Sequence, residues 1–236
     1  MSPSARTRES LKPASVTNGG SPRPIARKRE QQIIDAAAKI FYRQGYADAS
    51  VQEVADAVGI LKGSLYYYID SKEDLLFRML VEVHEGAQGI VGEIAGLQAS
   101  PLEKLSAYIR RHIEYNARNL AKIAIYYHDF ELLTPDRRKQ IVKQRALYEQ
   151  FVVGLLREAQ KNGEIDRKLD PTLVANAIFG AANWIYTWYK PDGPESPEHL
   201  GELYADLLIE GLAGAKPPKR PKARARSSRA AGRAER

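Results

Sequence analysis

The chain has 236 residues, a formal net charge of +7 and no cysteine. The lack of cysteine excludes disulfides, thiolate metal sites and thiol nucleophiles, and the four histidines show no metal-ligand spacing. No apolar run approaches the ~18 residues that a membrane-spanning helix needs, and the N-terminus lacks a hydrophobic signal core. We therefore expect a cytoplasmic protein that uses no metal and no cofactor and has no membrane partner.

The positive charge is concentrated at the two ends of the chain. Residues 1–29 carry +6 and residues 215–236 carry +8, which leaves −7 for residues 30–214. Residues 1–26 are rich in Ser, Pro, Arg and Gly and are predicted to form a disordered basic arm. The Lys/Arg-rich run 215–236 is predicted to form a disordered basic tail. The arm either adds phosphate contacts on DNA or is a solvated extension with no role.

The stretch from Ser50 to Asp74 is predicted to form a helix-turn-helix. Ser50 can cap a helix with its hydroxyl, and Glu53, three residues on, can reach back to complete a capping box. Gly59 tolerates the left-handed backbone that a sharp turn between two helices needs. The next helix carries short, polar or hydroxyl-bearing residues that suit a surface lying against DNA: Lys62, Gly63, Ser64 and Tyr67.

Helices are predicted on both sides of this motif. A strong helical pattern runs from Arg27 to Tyr46. Ser71 caps a second helix that extends through Ile94, long enough (~35 Å) to link one domain to another. Three glycines lie inside this long helix and each costs roughly 1 kcal/mol relative to Ala, so the helix is expected to bend or end early: Gly86, Gly89 and Gly92.

The rest of the chain repeats one helix-start signal, in which a capping residue precedes a proline and an apolar helical pattern follows. The pairs are Ser100-Pro101, Thr134-Pro135, Asp170-Pro171 and Ser196-Pro197. No segment alternates like a strand, so the predicted fold class is all-α with about nine helices. Residues 27–74 are predicted to form the helix-turn-helix DNA-binding domain. Residues 75–214 are predicted to form a second, larger helical domain.

The helix-turn-helix and its flanks resemble the TetR family of bacterial transcriptional regulators over some 45 residues. The resemblance is carried by Ile33, Asp35-Ala36-Ala37, Phe41, Gly45-Tyr46, Ser50-Val51, Glu53-Val54-Ala55, Gly59, Lys62 to Tyr68 and Ser71 to Leu75. It implies that Lys62, Gly63 and Ser64 approach base edges. It also implies phosphate contacts from Ser50, Tyr67, Tyr68 and Lys72. Either tyrosine could instead be an ordinary packing residue.

Two departures from the family pattern lie in this region. The family usually has Ser or Thr where this chain has Leu61, which cannot cap the recognition helix. It usually has His and then Phe where this chain has Tyr68 and Ile69. Leu65 and Tyr66 are interpreted as core residues. The departures concern which operator sequence is read, and DNA binding remains the expectation.

One helix-turn-helix covers one half-site, so the protein is expected to dimerise. The resemblance implies that the last two helices make this interface, and the alternative is that they close the core of the monomer. The first of the two offers Ala177, Gly180, Ala181 and Ala182 beside Trp184, Ile185 and Trp188. The second offers Leu203, Tyr204, Leu207, Leu208 and Gly211.

The resemblance also implies that the larger domain, residues 75–214, serves ligand binding and dimerisation and encloses a ligand pocket. Apolar walls with a few polar groups suit a small molecule, and the predicted ligand-binding residues are Tyr115, Arg118, Tyr127, Asn176 and Trp184. The same residues would also satisfy an ordinary core. The stretch from Trp184 to Leu208 is similar to family members that respond to acyl-CoA thioesters. His128 and Asp129 are adjacent and point apart on a helix, and we expect no enzymatic activity.

The predicted function is therefore a homodimeric transcriptional repressor with a palindromic double-stranded DNA operator. A small-molecule effector, an acyl-CoA or another lipid-like compound, is expected to release it. The alternative is a sequence-tolerant architectural DNA-binding protein that acts through its basic tails. A regulator without a ligand, or one that acts through a protein partner, is a third possibility.

Overall fold

The computed structural model describes residues 24–214, and this part of the chain contains helices and no strand. The α-helices are α1 (Pro24–Gln44), α2 (Val51–Ala57), α3 (Lys62–Leu65), α4 (Lys72–Ala95), α5 (Pro101–Arg118), α6 (Leu120–Asp129), α7 (Pro135–Asn162), α8 (Pro171–Asn183) and α9 (Pro197–Ala213). Single 3-10 turns, Phe130–Leu132 and Trp184–Thr187, follow α6 and α8. The all-α class and the helix count are confirmed for these residues.

The two ends of the chain lie largely outside the described residues. Helix α1 begins at Pro24, before the predicted start at Arg27, because proline fits the first position of a helix. The rest of the predicted arm and the predicted tail from 215 to 236 lie outside the described residues. Of the helices within residues 24–214, none combines the length and the apolar composition that crossing a bilayer requires.

Helices α1, α2 and α3 form a small head. The predicted capping box is present, since the Ser50 hydroxyl accepts from the Glu53 N–H at 3.2 Å and the Glu53 carboxylate accepts from the Ser50 N–H at 2.7 Å. Gly59 has a φ of +68°, as the predicted turn requires. The apolar faces of the three helices meet in one core that includes Ile33, Ala37, Phe41, Val54, Ala55 and Leu65.

Helix α4 runs without interruption from Lys72 to Ala95 and belongs to two cores. Its first half buries Leu75, Leu76, Met79 and Leu80 in the core of the head. Its second half buries Ala87, Ile90 and Ile94 in the core of the remaining helices, which we call the body. One rigid element therefore spans both parts, as the length of the apolar pattern predicted.

The expectation that α4 ends early at its glycines is wrong, since the helix continues to Ala95, and packing explains one of the three glycines. A Cβ added to Gly86 would lie 2.3 Å from the ring of Tyr115 on α5, whereas a Cβ at Gly89 or Gly92 would meet no described atom within 4 Å. The Tyr115 hydroxyl donates to the Glu82 carbonyl at 3.3 Å. Gly86 therefore makes room for a ring that crosses α4.

We predict that alanine substitutions at these glycines change stability with opposite signs. Gly86→Ala is expected to destabilise the protein, because overpacking costs about 1–3 kcal/mol and Tyr115 must leave its place. Gly89→Ala and Gly92→Ala are expected to stabilise it by up to ~1 kcal/mol, as alanine does inside a helix. Urea denaturation of the three variants tests this, and a stabilised Gly86→Ala protein would contradict it.

Helix α5 lies at the centre of the body, against α4, α7, α8 and α9. Its contact with α9 is close at Gly201, where an added Cβ would lie 2.8 Å from the carbonyl oxygen of Arg110. The capping box of α5 is local, with the Ser100 hydroxyl accepting from the Glu103 N–H at 3.3 Å. This arrangement surrounds the middle of α5 with side chains from four helices.

Candidate functional site

The predicted DNA-reading surface begins with the single turn α3. Leu65 is fully buried and anchors this turn on the core of the head, while Lys62 and Gly63 are exposed and Ser64 is half-buried. Tyr67 is 88% exposed, so it takes no part in the core and its ring is available for a contact. A short turn that exposes a lysine and a glycine next to a half-buried serine has the chemistry needed to contact DNA.

The three consecutive tyrosines have different environments. Tyr66 was expected in the core but is 48% exposed, because α3 ends at Leu65 and the following turn directs this ring outwards. Tyr68 is half-buried and packs against the core of the head. Its packing alternative therefore has a structural basis, and a phosphate contact from its hydroxyl stays a prediction.

Two further predicted phosphate contacts flank this surface. Ser50 is exposed at the start of α2, and its hydroxyl oxygen already accepts from the Glu53 N–H. Lys72 at the start of α4 donates to the Ala47 carbonyl at 3.0 Å and lies 4.4 Å from the centre of the Tyr46 ring. Lys72 therefore holds the loop before α2 against α4, and its phosphate contact stays a prediction.

The body contains an aromatic-lined pocket of about 310 Å³. Its lining residues are Tyr127, Phe179, Gly180, Asn183, Trp184 and Tyr186. The Tyr127 and Tyr186 rings are stacked, with centroids 5.2 Å apart and planes 3° apart. The structure thus brings two of the predicted ligand-binding residues, Tyr127 and Trp184, into one pocket.

The other three predicted ligand-binding residues lie elsewhere. Asn176 lines a separate groove of about 530 Å³ between α7 and α8, which shares Phe179 with the aromatic-lined pocket. The Tyr115 ring is occupied by its contact with α4 at Gly86. Arg118 pairs with Glu198 on α9 and, at 3.5 Å, with Glu114. Neither Tyr115 nor Arg118 lines the aromatic-lined pocket.

Behind the pocket lies a group of polar side chains, all buried except the half-buried Asn183, that we call the buried polar cluster. It consists of His84, Tyr108, His112, Asn116, Tyr148 and Asn183. None of these six is among the five predicted ligand-binding residues, although His112 and Asn116 belong to the same polar and aromatic stretch, 112–130, as the predicted Tyr115, Arg118 and Tyr127. The available signal was the polar series Tyr108, His112 and Asn116, which recurs every four residues on the buried face of α5 and therefore meets one neighbour.

Three polar atoms of this cluster have no hydrogen-bond partner among the described residues. They are His84 Nε2, Tyr108 Oη and His112 Nδ1. The other nitrogens of the two histidines are engaged, His84 Nδ1 with the Tyr148 hydroxyl at 3.2 Å and His112 Nε2 with Asn183 Oδ1 at 3.1 Å. Buried polar groups in proteins are rarely unpaired, so these atoms mark a place where a polar ligand atom would fit.

Burial keeps both imidazoles neutral. The pKa of His84 falls from 6.5 to about 4. Burial is the largest cause, and the positive charge of Arg145 and the nearby His112 act in the same direction. Burial also lowers the pKa of His112 to about 4, although its hydrogen bond with Asn183 acts in the opposite direction. The cluster therefore offers uncharged donors and acceptors at neutral pH.

We predict that acidification destabilises the protein through these histidines. In the unfolded chain they titrate near pH 6.5, whereas in the folded protein they stay neutral down to about pH 4, so their stabilisation is present above pH 6.5 and is lost as the pH falls towards 4. The loss is up to ~3 kcal/mol for each, at about 1.4 kcal/mol per pKa unit. Urea denaturation of His84→Phe and His112→Phe at pH 7 and pH 5 checks this. A variant with the parent's pH dependence would contradict it.

A band of exposed apolar side chains lies along α8, the following 3-10 turn and α9. It includes Leu173, Trp184, Trp188, Leu203 and Leu207, of which Trp184 is 61% exposed and Leu207 is 65% exposed. We call this band the α8–α9 face. Large apolar side chains exposed in this number are typical of an interaction site in a folded protein, and the face borders the aromatic-lined pocket at Gly180 and Trp184.

Comparison with known proteins covers both parts of the chain. A family model described as bacterial regulatory proteins, tetR family, matches residues 33–79, and one described as tetracyclin repressor-like, C-terminal domain, matches residues 98–212. The HTH-type transcriptional repressor KstR2 of Mycolicibacterium smegmatis is 29% identical over 185 residues, which are 78% of this chain and 90% of that protein.

Solved structures of similar proteins share the fold. A TetR/AcrR-family transcriptional regulator from Thermobifida fusca YX-ER1 is 33% identical, with a TM-score of 0.63 over 78% of this chain and 98% of its own. AibR, solved in complex with isovaleryl coenzyme A and operator DNA, is 31% identical, with a TM-score of 0.68 over 78% of this chain and 97% of its own.

Proposed function

Because the chain belongs to the TetR family of transcriptional regulators, we propose that it is a homodimeric repressor of a palindromic operator. A small-molecule effector, an acyl-CoA or another lipid-like compound, releases it from DNA. The observation that carries the proposal is the pairing of two features: an exposed α3 surface on the head and an aromatic-lined pocket in the body, joined by one continuous helix, α4.

Three features of the chain support the separate parts of the proposal. Exposed Lys62, Gly63 and Tyr67 suit contacts with DNA, and the α8–α9 face suits a second copy of the chain. The aromatic walls around Tyr127 and Trp184 suit an apolar effector. The similarity to AibR, which was solved with isovaleryl coenzyme A, supports the acyl-CoA class.

The ion pairs of one lysine support a mechanical coupling between the aromatic-lined pocket and the head. Lys122 on α6 is only 8% exposed, and its Nζ lies 2.7 Å from Asp35 on α1 and 2.6 Å from Glu82 on α4. Burial alone would lower the pKa of Lys122, but the two carboxylates outweigh it and raise the pKa. The same short helix carries Tyr127 in the pocket, so a ligand that displaces α6 also pulls on α1 and α4.

We predict that Lys122→Met uncouples the effector from the operator. Methionine keeps much of the length and the apolar stem but removes both ion pairs, so operator affinity should change little while effector-induced release weakens roughly 10-fold, within the usual range of coupling energies. Fluorescence anisotropy with labelled operator, titrated with effector, measures both quantities. Lys143→Met at an exposed position of α7 is the control. Unchanged release in Lys122→Met would contradict this coupling.

The proposed function is tested by selecting an operator from random double-stranded DNA with the full chain. The selected sequence should have two-fold symmetry, with two half-sites one or more turns apart. Isovaleryl-CoA, octanoyl-CoA, octanoate and 1-octanol are then titrated against the complex, and at least one should release it. An asymmetric footprint bound by a monomer, or DNA affinity that none of these compounds alters, would overturn the proposal.

Removal of residues 1–26 and 215–236 separates this function from an architectural role for the basic ends. For a repressor, the truncated chain keeps its preference for operator over random DNA, while overall affinity and its salt dependence fall with the lost phosphate contacts. For an architectural protein, the same truncation abolishes binding to both DNAs. Binding measured on the two DNAs across salt concentrations distinguishes these results.

A further inference from the structure

The three unpaired atoms of the buried polar cluster belong to side chains that are almost inaccessible to solvent. Tyr108 is fully buried, His84 is 1% exposed and His112 is 5% exposed. The Tyr108 ring lies parallel to the His112 ring, with centroids 5.5 Å apart, so the unpaired groups are neighbours on one face of α5. The Tyr108 hydroxyl and His112 Nδ1 therefore lie on adjacent turns of α5, and each lacks a hydrogen-bond partner in the described part of the chain.

The hydrogen-bond pattern fixes which of these atoms can accept. Asn116 Nδ2 faces the Ala182 carbonyl at 3.3 Å, so it is the donating end of that amide, and it also donates to Asn183 Oδ1 at 3.0 Å. Asn116 Nδ2 also lies 3.4 Å from His112 Nε2, but its two protons are already directed at the Ala182 and Asn183 oxygens. The contact of His112 Nε2 with Asn183 Oδ1 at 3.1 Å therefore assigns the imidazole proton to Nε2. His112 Nδ1 is therefore a bare lone pair that needs a donor.

A hydroxyl group satisfies this pair of atoms. It can donate to His112 Nδ1 and accept from the Tyr108 hydroxyl at the same time. A ketone or an ether has no proton for His112, and a carboxylate would be buried without a cation. Arg145, whose positive charge acts on His84, is paired with Glu149 at 3.2 Å and donates to the Tyr126 hydroxyl at 3.3 Å.

The cluster is continuous with the aromatic-lined pocket. Asn183 and Phe179 line that pocket, and they also contact His112, which hydrogen-bonds Asn183 and meets the Phe179 ring edge-on with centroids 5.7 Å apart. Tyr108 stacks on His112 and meets the Phe179 ring edge-on with centroids 6.3 Å apart, so aromatic rings line the boundary. A flat apolar body bound among these rings would have its inner end beside His112 and Tyr108.

We propose that the buried polar cluster binds an uncharged hydroxyl group at the inner end of a flat, apolar effector, through His112 Nδ1 and the Tyr108 hydroxyl. The inference rests on the proposed effector-binding function of the body and names the chemistry of the part of the ligand that is buried. The hydroxyl could belong to a free compound or to an acyl group carried on coenzyme A.

Matched naphthalene probes test the proposal by isothermal titration calorimetry on the full chain. The free compounds are 2-naphthol, 2-methoxynaphthalene and 2-naphthoate, and the thioesters are 6-hydroxy-2-naphthoyl-CoA and 2-naphthoyl-CoA. In at least one of these two sets, the probe with a hydroxyl should bind roughly 10-fold or more tightly than the probes without one, because an unmatched buried polar group costs that much or more. The set that binds identifies the class of effector.

Variants assign the preference to the cluster. Tyr108→Phe should weaken the hydroxylated probe about 10-fold, leave 2-methoxynaphthalene unchanged and not lower the melting temperature, because the lost hydroxyl has no partner in the described chain. His112→Phe should weaken the same probe. Tyr46→Phe, which removes a hydroxyl in the head, is the matched control and should bind like the parent.

Several outcomes would overturn the inference. They are equal binding of hydroxylated and unhydroxylated probes, no binding of any hydroxylated probe, and a Tyr108→Phe variant that weakens all probes equally. The proposed function is scored separately by operator release. If an acyl-CoA without a hydroxyl releases the operator from parent and Tyr108→Phe alike, the function stands and the hydroxyl inference fails.

Discussion

Leu207→Glu is expected to convert the protein from a dimer to a monomer and to lower operator affinity roughly 100-fold or more. Leu207 is 65% exposed in the middle of α9 and belongs to the α8–α9 face. A glutamate there would bury an unpaired charge between two copies of the chain, which costs far more than the lost apolar contact. Operator affinity falls because a dimer that contacts two half-sites commonly binds about 10²–10⁴ times more tightly than a monomer that contacts one.

A matched substitution separates dimerisation from a general effect of the added charge. Leu147 on α7 is 52% exposed and lies outside the α8–α9 face, so Leu147→Glu should leave both mass and operator affinity unchanged. Analytical ultracentrifugation gives the mass and anisotropy gives the affinity. A Leu207→Glu protein that is still dimeric would place the interface elsewhere, and a Leu147→Glu monomer would do the same.

Gly63→Glu is expected to abolish specific DNA binding without altering the fold. Gly63 is exposed in α3, and an added Cβ there would meet no atom of the described chain within 4 Å. The side chain would therefore be accommodated in the free protein. On DNA it would place a negative charge against phosphates and block the close approach that a glycine permits, so we expect a loss of roughly 100-fold or more.

The control for this prediction adds the same charge at another exposed helical glycine. Gly92 lies near the far end of α4, about 30 Å along the helix from its start, and its surroundings are equally open. Gly92→Glu should bind the operator like the parent protein. Circular dichroism and thermal melting establish that both variants are folded, and full operator binding by Gly63→Glu would remove α3 from the reading surface.

Local signals made the fold predictable from the sequence. The capping residues Ser50, Ser71, Ser100 and Ser196 each accept from the backbone N–H three residues further along, as the spacing predicts. Thr134 is different, because its own N–H donates to Glu73 on α4 at 3.1 Å and its side chain forms no cap within the described residues. That partner is distant in sequence, so no local pattern could predict it.

The candidate site was less predictable, because it depends on how helices cross. Tyr115 and Arg118 have the right chemistry for a ligand. Because α5 crosses α4 and α9, Tyr115 instead packs against Gly86 and Arg118 forms an ion pair with Glu198. Tyr66, Tyr67 and Tyr68 are consecutive residues of the same type, so the sequence does not distinguish their environments. Their different exposure follows from the point at which α3 ends. The buried polar cluster joins four helices, and only its α5 members share a local spacing.

The core of the head has a consequence for protein engineering. It includes Leu75 to Leu80 on α4 and also Ile125, Tyr126, Leu133 and Ile141 from the body. A fragment cut after residue 74 would lose these apolar partners and expose the surface they cover, so it should not fold alone. A chimera that transplants this specificity to another effector domain would need to carry α4 and the facing side of α6 and α7 with it. The head is therefore not a transferable module.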